Sequence, residues 1–226
     1  MSSQPLVQCV GAGVVYPSGS QSIVALRPTD CAVWERHQIA VVGPSGSGKS
    51  TLMHLLSGLQ EPSTGSVTWP AIGERRVLRP GPVGIVFQGP SLLPPLTVSE
   101  NVALPLQLMG ETQSAATAKA LDLLQLVGVA DLAARLPDEL SGGQSQRVAI
   151  ARALVTGPRL ILADEPTGQL DRATSDLVID VLLDCADATA AALVVTTHDP
   201  SIAERFEQRW SVIDGVLSVP LGVPAA

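Results

Sequence analysis

Eight residues, Gly43-Pro44-Ser45-Gly46-Ser47-Gly48-Lys49-Ser50, constrain this 226-residue chain more than any other segment. They follow an apolar run at 39–42 and precede a helical pattern at 51–59. Three glycines allow a turn tight enough to aim successive backbone N–H groups at one anion, and the next helix adds the positive end of its dipole. The octapeptide matches G-x-x-x-x-G-K-[ST], and it sits between strand and helix as that pattern requires. In such a cradle Lys49 reaches the β- and γ-phosphates and the Ser50 hydroxyl is placed for Mg²⁺, with Thr51 next to it. The segment is read as a nucleotide site.

The apolar runs around it set the fold class. Residues 39–42, 83–87, 160–163 and 193–195 are short, continuous and bounded by Gly, Pro or charge, as strands buried on both faces of a mainly parallel sheet are. Helical patterns lie between them, at 51–59, at 115–127 before Gly128, and at 144–155 before Gly157-Pro158. Alternating strand and helix predicts an α/β fold of the P-loop type. Residues 6–15 and 23–34 read as two strands joined by a Pro/Ser/Gly turn, predicting a small antiparallel lobe. Residues 89–154 contain no strand pattern and are expected to form a helical insert in the α/β core. No linker divides the chain, so 1–226 is expected to be one domain.

Composition narrows the function classes. Hydrophobic residues are 46% of the chain and charged residues 15%, which predicts a sizeable core and raises the question of a membrane span. The longest nearly uncharged stretch, 80–99, carries five prolines and could not cross lipid as one helix. The first 26 residues are uncharged, but they lack a basic start and Tyr16-Pro17-Ser18-Gly19-Ser20 interrupts them, so no signal peptide is expected. A soluble, intracellular protein is the expectation. The net charge of −7 argues against a general binder of nucleic acid or anionic membrane. Cys9, Cys31 and Cys185 have no paired spacing and are expected to be buried or idle thiols.

Two further features carry chemistry. The run at 160–163 ends in Asp164-Glu165. Beside a phosphate loop, the first acid can hold hydrated Mg²⁺ and the second can orient or deprotonate an attacking water, although acids at strand ends also serve as helix caps. His198 closes the run at 193–195 and could donate a hydrogen bond to a γ-phosphate, because such strand ends converge on the ligand crevice. His37 and His54 have no such setting. Finally, Leu140-Ser141-Gly142-Gly143-Gln144 precedes a helical stretch. The Ser-Gly-Gly turn is either an ordinary serine cap or a second anion cradle, and one nucleotide has no obvious need of two cradles in one monomer. A symmetric head-to-tail dimer, each cradle capping the other copy's nucleotide, would use both.

The phosphate loop, the Leu-Ser-Gly-Gly-Gln turn and the acidic strand end together resemble the ATP-binding cassette (ABC) family, over nearly the whole chain. The resemblance implies Mg²⁺-dependent ATP hydrolysis by a homodimer. It also implies roles for further residues. Gln88 resembles the glutamine that links Mg²⁺ and water to a transmembrane partner. Gly168-Gln169-Leu170-Asp171 resembles the D-loop, and Tyr16 resembles the aromatic residue that stacks on adenine. The stretches around Glu165, Gln88 and Ser141 are similar to the ATPases of lipoprotein-releasing, macrolide-export and cell-division systems. In that group Asn usually stands where Gln169 is found, and the connection from Val67 to Gln88 is usually longer. The implied function is to drive a separate transmembrane permease, contacting the membrane only through it, from the cytoplasmic face. A regulatory ATPase acting on a membrane partner without cargo would carry the same motifs. A DNA-maintenance or translation ATPase usually adds a long coiled coil or a second cassette, and neither is present.

Overall fold

In the computed structural model of the protein, residues 4–19, 21–168 and 170–220 are described; Ser20 and Gln169 lie outside them. Six strands form one sheet: β3 (Gln38–Val42), β5 (Val83–Val86), β6 (Leu160–Asp164), β7 (Ala192–Thr197), β8 (Gln208–Ile213) and β9 (Val216–Ser218). Their order is β5-β6-β7-β3-β8-β9, parallel from β5 to β8 and antiparallel only between β8 and β9. The continuous apolar runs follow from this placement. Successive side chains point to opposite faces of a sheet, so a strand covered on both faces must be apolar at every position. Ile39, Val41, Leu160, Leu162, Ala192 and Val194 pack into one core, and Ala40, Ile161, Ala163, Leu193 and Val195 pack into the other.

The first core is closed by α1 (Lys49–Leu56) and a three-stranded antiparallel sheet. That sheet has the order β2-β1-β4, from β1 (Val7–Ser18), β2 (Gln21–Val33) and β4 (Thr64–Thr68). The second core is closed by α2 (Val98–Leu108), α3 (Gln113–Leu126), α4 (Gly142–Leu154), α5 (Arg172–Thr189) and the short α6 (Pro200–Ala203). Between β5 and β6 the described residues form helices and turns and no strand. Among the described residues, no helix is long and apolar enough to cross a membrane.

The α/β architecture is as the apolar runs predict, and the helix ends differ from the pattern for local reasons. The helix expected at 51–59 starts two residues earlier, at Lys49, and stops at Leu56, with Gly58 in a left-handed turn at φ 70°. The helix expected at 144–155 starts at Gly142 because Ser141 caps it. Gly128, at φ 68°, follows α3 as expected of a C′ glycine. Three strands escaped the sequence reading. One of them had a signal: Asp214-Gly215, at φ 49° and 74°, is the two-residue hairpin turn joining β8 to β9. The cysteines are free thiols, as expected, and two of them are neighbours in space. Cys9 and Cys31 are far apart in sequence but face each other across β1 and β2, both buried and both free thiols. Hydrogen bonding to Cys9, with burial, pushes the Cys31 thiol well above its ordinary value.

Candidate functional site

The phosphate loop is gripped from three sides, and its glycines are the reason it can be. A Cβ on Gly43 would lie 2.1 Å from the Val212 carbonyl oxygen of β8, and one on Gly48 would lie 2.4 Å from the Ala25 carbonyl oxygen of β2. Gly48 is also at φ 111°, a conformation costly to side chains. From the β8–β9 turn, the Gly215 N–H donates to the Ser47 carbonyl (2.9 Å). Gly43→Ala should therefore push the loop off β8 and cost about 1–3 kcal/mol of stability. A lower melting temperature without nucleotide is the expected reading, and an unchanged one would contradict the packing.

Inside the loop Lys49 is 4% exposed and folds back on it, its ammonium donating to the carbonyls of Gly43 (2.9 Å) and Pro44 (3.0 Å). Ser50 is exposed, with half-buried Thr51 beside it in the first turn of α1. The Ser47 hydroxyl is buried without a hydrogen-bond partner. The start of α1 at Lys49 has no side-chain cap, so its first N–H groups are left for an incoming phosphate. Exposed Pro44, Ser45 and Gly46 form the crest of the loop.

The strand order decides what meets the loop. Register pairs Val42 with Thr197 and Asp164 with Thr196, so the carboxyl ends of β3, β7 and β6 lie side by side, with the histidine-bearing strand in the middle. Glu165 stands where these ends converge. Its carboxylate lies 3.4 Å from the Lys49 ammonium, 3.5 Å from Nδ1 of His198 and 3.5 Å from the amide nitrogen of Gln88. Glu165 is also at φ 44°, in the left-handed region. For a residue with a Cβ that conformation costs about 1–3 kcal/mol and is most often retained at functional sites. Asp164 is 9% exposed and one of its oxygens accepts from the Thr196 hydroxyl (2.6 Å). The Ser50 hydroxyl, this carboxylate and the Gln88 amide are oxygen donors of the kind that suits a hard cation such as Mg²⁺. A cavity of about 580 Å³ opens beside Glu165, lined also by Thr167, Gly168, Arg172, His198 and Asp199.

The structure thus brings together Lys49, Gln88, Glu165 and His198, which are spread over 150 residues of sequence. Other candidates lie elsewhere. Ser141, Gly142, Gly143 and Gln144 start α4, and among the described residues they make no hydrogen bond or ion pair with the phosphate loop, Glu165 or His198. Ser141 is an N-cap: its hydroxyl accepts from the Gln144 N–H (3.3 Å), and the Gln144 side chain accepts from the Ser141 N–H (2.8 Å). A hydroxyl that accepts in this way still has its own proton to donate outward. Asp171 likewise caps α5. It accepts from the Thr174 N–H (3.0 Å) and hydroxyl (2.7 Å), which hold its carboxyl below the usual range. Tyr16 is 39% exposed near the end of β1, donating its hydroxyl to the Gln60 side chain (2.6 Å). His37 accepts from the Trp34 N–H and is held below its ordinary pKa by burial; neither it nor His54 contacts Glu165.

Sequence reasoning missed three residues around the site. Thr196 joins the two acids. Gln146 and Arg152, both on α4, hold the segment on either side of Gln88: Gln146 donates to the Phe87 carbonyl (3.3 Å), and Arg152 to the Pro90 (3.2 Å) and Ser91 (3.1 Å) carbonyls. Arg152 carries no signal of its own in the sequence, and only the docking of α4 on this segment makes it a clamp.

A phosphate loop and strand-end acids on one parallel sheet define a P-loop nucleoside triphosphatase. A family model described as "ABC transporter" matches residues 26–168, and the chain belongs to that family, as an ATP-binding and ATP-hydrolysing cassette. It is 44% identical over 209 residues to the lipoprotein-releasing system ATP-binding protein LolD of Legionella pneumophila, covering 89% of this chain and 92% of the relative. An ABC transporter ATP-binding protein of Mycobacterium tuberculosis is 42% identical over 215 residues, covering 92% and 87%. Among solved structures, the ATP-binding cassette MJ0796 in a dimeric post-hydrolysis state bound to ADP and Pi superposes with a TM-score of 0.87. It is 32% identical over 97% of both chains. The likeness to the lipoprotein-releasing group agrees with the motif reading.

Proposed function

We propose that two copies of this chain close head to tail on two ATP molecules and drive a separate transmembrane permease of an export or mechanotransmission system. The convergence of Lys49, Gln88 and His198 on Glu165 carries the reading, because a carboxylate so placed can act on water next to a bound γ-phosphate. Residues 43–51 cradle the phosphates and Lys49 neutralises the β/γ charge. Tyr16 is assigned to the adenine. Mg²⁺ would be held by Ser50 and, through water, by Asp164, with Gln88 alongside, and would screen the charge on the phosphates. Glu165 orients and deprotonates the water for in-line attack, and His198 donates to the transferring phosphoryl group.

The signature turn supplies the rest from the other copy. Ser141 and the Gly143 N–H make no bond with their own phosphate loop, and a helix N-terminus with a free hydroxyl proton suits the γ-phosphate across a dimer, with Gly142 and Gln144 shaping the turn. Asp171 is assigned to the same interface. The dimeric cassette structures of MJ0796 support this arrangement. Closing would move residues 89–154, a helical subdomain within the single domain 1–226. That segment carries Gln88's clamp and is placed to push the permease. The cassette would then sit on the cytoplasmic face of the membrane, held there by its partner.

Ser141→Arg tests the shared site. The substitution should leave ATP binding by the monomer nearly intact, since no bond links Ser141 to its own phosphate loop. It should block ATP-dependent dimerisation and hydrolysis, seen by size-exclusion chromatography and phosphate release. Normal hydrolysis by this variant would refute the trans arrangement.

A further inference from the structure

We propose that Thr196 is a positioning residue for hydrolysis, its hydroxyl locking the orientations of Asp164 and Glu165 to each other. The proposal rests on the assignment of Asp164 to the metal side and Glu165 to the water side of the site. Thr196 is wholly buried in β7, directly opposite Asp164 in the β6–β7 register. Its neighbours Val194 and Val195 are buried and apolar, and valine would fill the same space. A buried hydroxyl is costly unless paired, so its presence in this strand calls for partners. Both of its partners belong to the two acids. The hydroxyl proton is donated to Asp164 Oδ1 at 2.6 Å, a short bond of the charge-assisted kind. Its lone pair accepts the Glu165 N–H at 2.8 Å.

One side chain therefore settles two things. Asp164 cannot rotate without breaking a buried bond. With Oδ1 engaged, Oδ2 has no protein partner among the described residues and is the oxygen left for hydrated metal. The Glu165 amide is anchored at the residue whose φ of 44° most needs holding. Without the anchor the Glu165 backbone can relax, and its carboxylate leaves the point where Lys49, Gln88 and His198 meet.

The test is steady-state hydrolysis by the purified protein at millimolar ATP and high protein concentration, comparing wild type with Thr196→Val, Thr196→Ala and Thr196→Ser. Thr196→Val should lower kcat about 10- to 100-fold, the usual scale for removing a group that orients metal-site ligands. Its KM for ATP should stay within about twofold of wild type, because the phosphate loop is untouched. Half-saturation by Mg²⁺ should rise severalfold. Thr196→Ser keeps the hydroxyl and should recover most of kcat and the Mg²⁺ requirement. Thr196→Ala is read alongside the valine variant with the same expectation, in case branching crowds the strand. Glu165→Gln and Asp164→Asn are measured in parallel. If both acid variants lose activity while the valine and alanine variants keep wild-type kcat and Mg²⁺ dependence, the role of Thr196 is wrong and the site reading stands. A serine variant as impaired as valine would also overturn it, since the hydroxyl would not be the cause. Wild-type turnover by Glu165→Gln and Asp164→Asn would sink the site reading and the role of Thr196 together.

Discussion

Glu165→Gln should lower ATP turnover by about 10²- to 10⁴-fold, the range expected when general-base help is lost. The amide keeps the shape and hydrogen-bonding reach of the side chain but not its charge. Nucleotide binding should survive, and the reason is local. In the present arrangement the carboxylate is paired with Lys49 at 3.4 Å, so neutralising it releases the ammonium from a competitor of the incoming γ-phosphate. Lys49 keeps its bonds to the Gly43 and Pro44 carbonyls, so the loop retains its shape. The variant should bind MgATP, close, and stall before chemistry. It should elute as a dimer with MgATP and as a monomer with ADP. Hydrolysis at the wild-type rate would remove Glu165 from the catalytic role.

Lys49→Ala should fail earlier, at binding. The phosphates lose the one fixed cation of the cradle, and hydrolysis is expected to fall by at least about 10²-fold, the scale for removing a preorganised electrostatic group. The empty loop suffers as well. The Gly43 carbonyl loses its side-chain donor, the Pro44 carbonyl keeps only the Ser47 N–H, and the Glu165 carboxylate, 17% exposed, loses the cation beside it. The stabilisation by ATP in a thermal melt should nearly disappear, since a ligand stabilises only as far as it binds the folded state. Glu165→Gln should retain that stabilisation, so the melt separates the two variants before any rate is measured. Wild-type affinity and turnover in Lys49→Ala would contradict the assignment of the loop.

The correct and the missed readings divide along a physical line. The phosphate loop was legible because its chemistry is local: eight consecutive residues supply turn, amides, cation and hydroxyl. The buried strands were legible because a strand covered on both faces must be apolar at every position, as the split of β3, β6 and β7 between the two cores shows. The missed strands were harder to read. β4 has four exposed positions out of five, and β8 mixes polar and apolar residues, so neither produces a continuous run. Gln88 and Tyr16 were reached only through family resemblance, since nothing in their neighbours announces a ligand.

Residue types, spacing and binary pattern alone determined an α/β chain with a nucleotide cradle, two acids and a histidine at strand ends, and a Ser-Gly-Gly turn before a helix. Those features depend on contacts within a few residues, or on short continuous apolar runs, both of which are visible in one dimension. The tertiary structure decided which strand lies next to which. The order β6-β7-β3 brings Glu165 within 3.4 Å of Lys49, and it puts Thr196 opposite Asp164 rather than in an anonymous apolar strand. It also left the Ser141 turn unconnected to its own phosphate loop. Strand order is set by crossover connections and by the burial of two sheet faces at once, a global free-energy balance that no short segment encodes.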